Sequence, residues 1–150
     1  MQKTILCNKA GYKLIHIFEN EWLSDKKIVK SILIDKLKCS LKETIDANKC
    51  SIYEVKNEYE KLKCQTFINE NSLIKNENFD IALCMKFENY IVATMTFCEL
   101  TNDIFKIIDF CIKSDLNIKE GFESFLKYFE KNFNPKKLYA SINRRYSIGN

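Results

Sequence analysis

Apolar positions along this chain repeat with two different periods, and the places where the period changes predict its elements. Tyr12 to Phe18 is apolar at most positions and reads as a strand. An acidic-aromatic turn follows, Glu19-Asn20-Glu21-Trp22. The period then lengthens: Ile28, Val29, Ile32, Leu33 and Leu37 share one helical face. Ser24 is expected to cap that helix, with Asp25 in its first turn and Leu23 stapled to Ile28 across the cap. Trp22 is expected in the core. Lys38 to Ala47 reads as a connector and Cys50 to Val55 as a short strand. Asn57, with Glu60 three residues on, predicts a capped helix with the face Val55, Tyr59, Leu62 and Phe67. Asn69 to Asn78 is polar and loop-like. Phe79 to Phe87 and Tyr90 to Cys98, joined by Glu88-Asn89, predict a hairpin. Ile104 to Ile112 is the next strand and Lys113 to Glu120 a loop. Gly121 opens a helix whose stripe is Phe122, Phe125, Leu126, Phe129 and Phe133. Asn134-Pro135 stops it, and Lys137 to Ile142 is a last strand. A helix between the strand ending at Ile112 and the one starting at Lys137 predicts a right-handed crossover, hence a parallel pair within a sheet otherwise antiparallel.

Composition narrows the class. At 150 residues, 46% apolar and 29% charged, with three Gly and one Pro, the chain suits a single globular unit with an appendage. No apolar run approaches the roughly 18–20 residues of a membrane span. Met1 to Lys9 lacks the apolar centre of a signal peptide, so a cytoplasmic location and no membrane partner are expected. Seven cysteines form no C-x-x-C pair and, with one His, predict core thiols in a reducing compartment and no metal site. The net charge of +4 is uneven. From Lys131 onward there is no acid, while Lys131, Lys136, Lys137, Arg144 and Arg145 alternate with Phe133, Tyr139 and Tyr146. Such a tail either tracks a phosphate backbone or is a solvated surface.

Two resemblances follow from these segments. The strand, acidic turn and helix of Gly11 to Leu33 resemble the closing part of the very-short-patch-repair-like branch of PD-(D/E)xK nucleases, as carried by phage homing endonucleases. The order from Ser51 (strand, helix, hairpin, strand, helix, strand) resembles the core of the GNAT N-acyltransferase fold. The same region is similar to the domain that follows the nuclease core in homing-endonuclease-like proteins. Ala47-Asn48-Lys49-Cys50-Ser51-Ile52-Tyr53-Glu54-Val55 stands where that pattern reads A-R-K-C-x-I-x-E-V. Phe67-Ile68-Asn69-Glu70-Asn71 fits its F-L-x-x-N, but Ser72 replaces a His and Lys75 a Gly. Thr94-Met95-Thr96-Phe97 keeps the hairpin motif, Asp109 replaces an Arg before Phe110-Cys111, and Asn143-Arg144-Arg145-Tyr146-Ser147-Ile148-Gly149-Asn150 is the last segment.

The resemblances imply an α+β fold: a mixed, mostly antiparallel sheet with flanking helices, GNAT-like, over residues 48–150, preceded by a strand-helix appendage over 1–38. They imply that nuclease acids would lie before Met1 and closing elements after Asn150, so a truncated and degenerate relative is expected. The function they imply is a phage or mobile-element protein without nuclease activity, in the host cytoplasm, keeping DNA binding through Arg144 and Arg145 with Lys136 and Lys137 as auxiliary phosphate contacts. Alternatives are a GNAT-type acyltransferase using acetyl-CoA and an inert remnant. For the acyltransferase, the pyrophosphate would sit on the loop Asn117 to Gly121 at a helix N-terminus, although Glu120 opposes it and Gly121 also reads as a plain first helical residue. Tyr146 is the weak candidate for its acid. Glu19 and Glu21 alone cannot make a cutting site, and His16 is expected to be a satisfied core imidazole. An open sheet edge after Ile142 would allow an oligomer.

Overall fold

The computed structural model describes residues 2–39 and 41–140. Helix α1 (Gln2–Lys9) is followed by α2 (Glu19–Ser24), α3 (Lys26–Lys36), β1 (Glu43–Asp46), a 3-10 turn (Ala47–Lys49), β2 (Ser51–Glu54) and α4 (Glu58–Asn71). Then come β3 (Ile81–Phe87), β4 (Tyr90–Thr101), β5 (Ile104–Ile112), β6 (Leu116–Lys119), α5 (Gly121–Phe133) and β7 (Lys137–Ala140). The main sheet has the order β2-β3-β4-β5-β7. Its first three pairings are antiparallel, and β5 with β7 is parallel. The fold is α+β, with the strand order and directions that the GNAT resemblance implies.

Local chemistry explains the hairpin and both long helices. Glu88 and Asn89 take φ of 46° and 72°, the doubly left-handed turn whose twist matches that of the strands it joins. Asn57 Oδ1 accepts the Glu60 N–H at 2.9 Å and the Glu60 carboxylate accepts the Lys56 N–H at 3.0 Å, a reciprocal cap that starts α4. Asn134, at φ 44°, ends α5 by donating its N–H to Glu130 O at 3.0 Å.

The two helices cover opposite faces of the sheet. On the α5 side, Leu83, Met85, Met95, Phe97, Phe105 and Ile107 pack with Phe125 and Phe129. Phe129 stacks on Phe97 with ring centres 3.9 Å apart and meets Phe105 edge-on at 5.1 Å. Burying one such ring contributes about 1.5–3 kcal/mol. On the α4 side, Cys64, Phe67 and Ile68 pack with Ala82, Cys84 and Cys111. The expected α4 face is rotated: Tyr59 and Leu62 are exposed, and the buried stripe is Cys64, Phe67, Ile68 and Asn71.

Several expectations fail. Tyr12–Phe18 is not a strand but an extended connection between α1 and α2. Its apolar and aromatic residues supply propensity, but a strand also needs a ladder partner, and none of the described strands pairs with it. Ser24 closes α2, its hydroxyl donating to Asn20 O at 2.8 Å, and Leu23 and Leu37 are exposed. Trp22 is half-buried under the Lys26 ammonium, 5.1 Å from its ring centre. His16 is exposed and bonds Thr4 Oγ1 at 2.9 Å. The expected connector contains β1 and the expected loop contains β6; the two pair in parallel, Ile45 opposite Ile118, and bury Ile45, Leu116 and Ile118 in the α5-side core.

Candidate functional site

The site begins with one extra residue in β5. Thr96 faces Asp109 and Phe97 faces Ile107, so Ile108 has no partner on β4. A bulge of this kind reverses the face of every residue beyond it. Phe105 and Ile107 point to α5. Beyond the bulge Phe110 and Ile112 take that face, with Phe110 edge-on to Phe122 at 5.3 Å and to Phe125 at 5.9 Å. Asp109 and Cys111 turn to the α4 side instead, opposite Thr96 and Thr94.

Asp109 is therefore a carboxyl placed inside the protein, 7% exposed. Burial pushes it above the usual carboxylate range; the Ser72 hydroxyl and the Phe110 N–H oppose that shift. Oδ2 of Asp109 has no hydrogen-bond partner among the described residues, and neither do the buried Thr96 Oγ1 and Ser114 Oγ. Burial and the Asp109 charge push the neighbouring Cys111 thiol up to about 12, and its Sγ lies 3.1 Å from Thr94 Oγ1. Asn71 braces this corner: Oδ1 accepts the Ser114 N–H and Nδ2 donates to Phe67 O, both at 2.9 Å. Both ends of that amide are spent on structure.

A cavity of about 330 Å³ opens over Asp109. One wall is the bulged end of β5 with Ser72–Ile74, and the facing wall is α3, through Ile28, Ser31, Ile32 and Asp35. Lys42 spans the rim, donating to Ser31 Oγ at 2.7 Å and to Asp35 Oδ2 at 2.8 Å. A second tie fixes α3: the Lys75 ammonium pairs with Asp25, and that hydrogen bond, with a smaller one from Ser24, holds the Asp25 carboxyl below its ordinary value. The size and the mixture of apolar wall with a few converging polar groups suit a small ligand. Asp109 lines this cavity, with its Oδ2 closed off from solvent.

The residues singled out from the sequence fall apart into separate places. Asn117 lines the Asp109 cavity. Gly121 does not: it is buried, and a Cβ there would lie 3.0 Å from Ile118 Cγ2, so its small size serves packing. Lys136 pairs with Asp103 at 2.9 Å in a solvent-exposed ion pair, and Lys137 is exposed at the start of β7. Arg144, Arg145 and Tyr146 lie outside the described residues. Glu21 accepts the Phe18 N–H at 3.4 Å. Among the described residues no group of three His, Cys, Asp or Glu side chains is placed to hold a metal ion, and no helix is long and apolar enough to cross a membrane. Asp109 and Ser72 entered the sequence reading only as replacements for an Arg and a His.

No family model and no curated protein matches this sequence. Among solved structures, a GNAT family acetyltransferase from Staphylococcus aureus aligns with a TM-score of 0.48 and 21% identity, over 68% of this chain and 93% of that one.

The acetyl-CoA expectation can be tested against the chain itself. The loop meant to cradle a pyrophosphate is β6, held against β1 along Leu116–Lys119. Glu120, in a left-handed conformation with φ 58°, and Glu123 bring two carboxylates to the start of α5. Both repel a pyrophosphate, and Gly121 is packed against Ile118. These residues do not fit the group where the resemblance puts it.

Proposed function

We propose that this chain binds a small amine in the cavity between α3 and the bulged β5, with Asp109 taking the amine's proton, and that the use of this site is acyl transfer in a protein of GNAT architecture. One observation carries the reading: a buried carboxyl, raised above its usual range and with one oxygen uncommitted, belongs to a residue that lines a ligand-sized cavity. A primary amine is an ammonium near neutral pH and cannot attack a carbonyl until it loses a proton. A carboxylate made more basic by burial is suited to remove it. Ile28, Ile32 and Leu116 line the cavity beside it. The donor side has no comparable support among the described residues, since Asn117–Gly121 does not form an anion cradle.

The test is a thermal shift with acetyl-CoA, followed by incubation with a panel of primary amines while free CoA is measured by chromatography. The expected result is turnover that rises with pH as Asp109 ionises and falls by about 100-fold or more in Asp109→Asn. Absence of both shift and turnover overturns acyl transfer. Saturable amine binding that Asp109→Asn abolishes, without turnover, leaves the chain as an amine-binding module. Duplex-DNA binding through Arg144, Arg145, Lys136 and Lys137 is a separate proposal, and a gel shift over a salt series decides it. Homing-endonuclease ancestry rests on motif order alone.

A further inference from the structure

A second cavity, of about 500 Å³, is lined by α4 and the end of the β3–β4 hairpin and shares only Asn71 with the first. Four lysines line it, each from a different element: Lys27 from α3, Lys63 from α4, Lys86 from β3 and Lys113 from the end of β5. Glu70 is the one carboxylate in the lining. Two of the ammonium groups are positioned without being neutralised: Lys63 sits over the Tyr59 ring at 4.3 Å and Lys86 over the Tyr53 ring at 4.2 Å. A ring face orients a cation while leaving its charge available to an anion. Lys113 has a partner, Asp115 at 3.3 Å, with both side chains about half exposed. At the hairpin corner of the same cavity stands Tyr90, 76% exposed, its ring free to stack.

We propose that this cleft binds the phosphate and base of a nucleotide, with Lys27, Lys63 and Lys86 around the phosphates and Tyr90 against the base. Its volume suits one small ligand. A lining that draws lysines from four separate stretches of the chain is a property of the tertiary fold, unlike a run of lysines along one exposed helix. The same chemistry serves a free nucleotide or one unit of a single strand, where aromatic stacking beside a basic groove is a general mode of binding. The site is independent of Asp109, so it stands or falls apart from the amine reading.

The experiment is fluorescence anisotropy on the full chain at low and moderate salt, with labelled oligothymidylate as the strand and ATP and inorganic triphosphate as competitors. Expected is binding that weakens as salt rises, about fivefold loss for each of Lys63→Ala and Lys86→Ala, and about tenfold loss for Tyr90→Ala. ATP that displaces the strand assigns the cleft to a mononucleotide. Strand binding that ATP does not displace assigns it to single-stranded nucleic acid. Either result supports the proposal. Triphosphate competing as well as ATP, with Tyr90→Ala neutral, overturns it by showing charge attraction alone. Binding that survives Lys63→Ala/Lys86→Ala but is lost in Arg144→Ala/Arg145→Ala overturns it by placing the contact elsewhere. Thermal melts of each variant separate loss of binding from loss of fold, since these side chains lie at the surface.

Discussion

Replacing Asp109 by Asn removes one titrating proton from the interior while keeping the shape of the side chain. In the folded protein burial holds this carboxyl above its ordinary value of 3.8. The native state therefore keeps a proton that the unfolded chain gives up. Stability linked to this group is fully present below pH 3.8 and is lost as the pH climbs through the folded value. While the two states differ by one proton the loss is about 1.4 kcal/mol per pH unit. The Asp109→Asn variant has no such proton to lose. Its amide NH₂ takes the place of the unpartnered Oδ2, which shifts stability by a fixed amount at every pH, up to about 1–3 kcal/mol if it stays unsatisfied. The informative quantity is the slope of the difference. Cys111 stays a thiol across the range, and Lys42 with Asp35 is common to both proteins, so neither contributes to that slope. Urea unfolding at half-unit steps from pH 4 to 8 should show the variant gaining on the wild type as pH rises, then a plateau once Asp109 ionises in the native state. A difference that is flat over this range, or that runs the other way, refutes the burial argument and removes the base from the proposed site.

Other substitutions probe the frame around the cavity. Phe129→Ala opens a hole beneath Phe97 and Phe105 and should cost about 3–5 kcal/mol by urea denaturation; a loss under about 1 kcal/mol would mean the stack is not formed. Gly121→Ala places a Cβ at 3.0 Å from Ile118 Cγ2 and should destabilise by about 1–3 kcal/mol, with much of that recovered in the double variant with Ile118→Val; the double-mutant cycle reads the coupling directly. Asn57→Ala removes the cap on α4 and should cost about 1 kcal/mol, with amide exchange accelerated in the first turn of that helix.

The sequence disclosed what is local. The tight Glu88-Asn89 connection marked the hairpin, the stripe of Phe125, Leu126 and Phe129 marked α5, and the Asn57–Glu60 spacing marked the cap of α4. The elements it hid depend on distant partners. β1 and β6 are four residues each and bury only Ile45, Leu116 and Ile118; no window of either is long enough to show a period, and each is a strand only because the other lies beside it. Tyr12–Phe18 is the converse, a strand-like pattern left without a ladder. The buried stripe of α4 escaped because it is written with Cys64 and Asn71, which a hydropathy reading passes over. Asp109 was hidden most deeply. In β5 the side chains 105, 107, 109 and 111 are all buried, which suggests one continuous face. Only the register with β4 reveals that the chain changes face at Ile108.

That change of face also explains why α3 belongs to the proposed site. Without the bulge, Asp109 and Cys111 would point into the phenylalanine core under α5, where an uncompensated carboxyl costs several kcal/mol. With it they face outward beneath Ser72–Ile74, a surface that α4 alone leaves partly open. α3 closes that opening with Ile28 and Ile32, and the Asp25–Lys75 and Asp35–Lys42 pairs set its position from both ends. In each pair one partner is largely covered, Lys42 at 8% and Asp25 at 15% exposure, and α3 also buries Ile28 and Val29. It follows that Ile28→Ala should loosen the helix and admit water to Asp109, bringing its carboxyl back toward the ordinary value while the sheet stays folded. NMR titration of the Asp109 side-chain carboxyl carbon in the wild type and in Ile28→Ala tests this. An unchanged titration midpoint in a variant whose α3 amides exchange freely would show that α3 covers the cavity without shaping it.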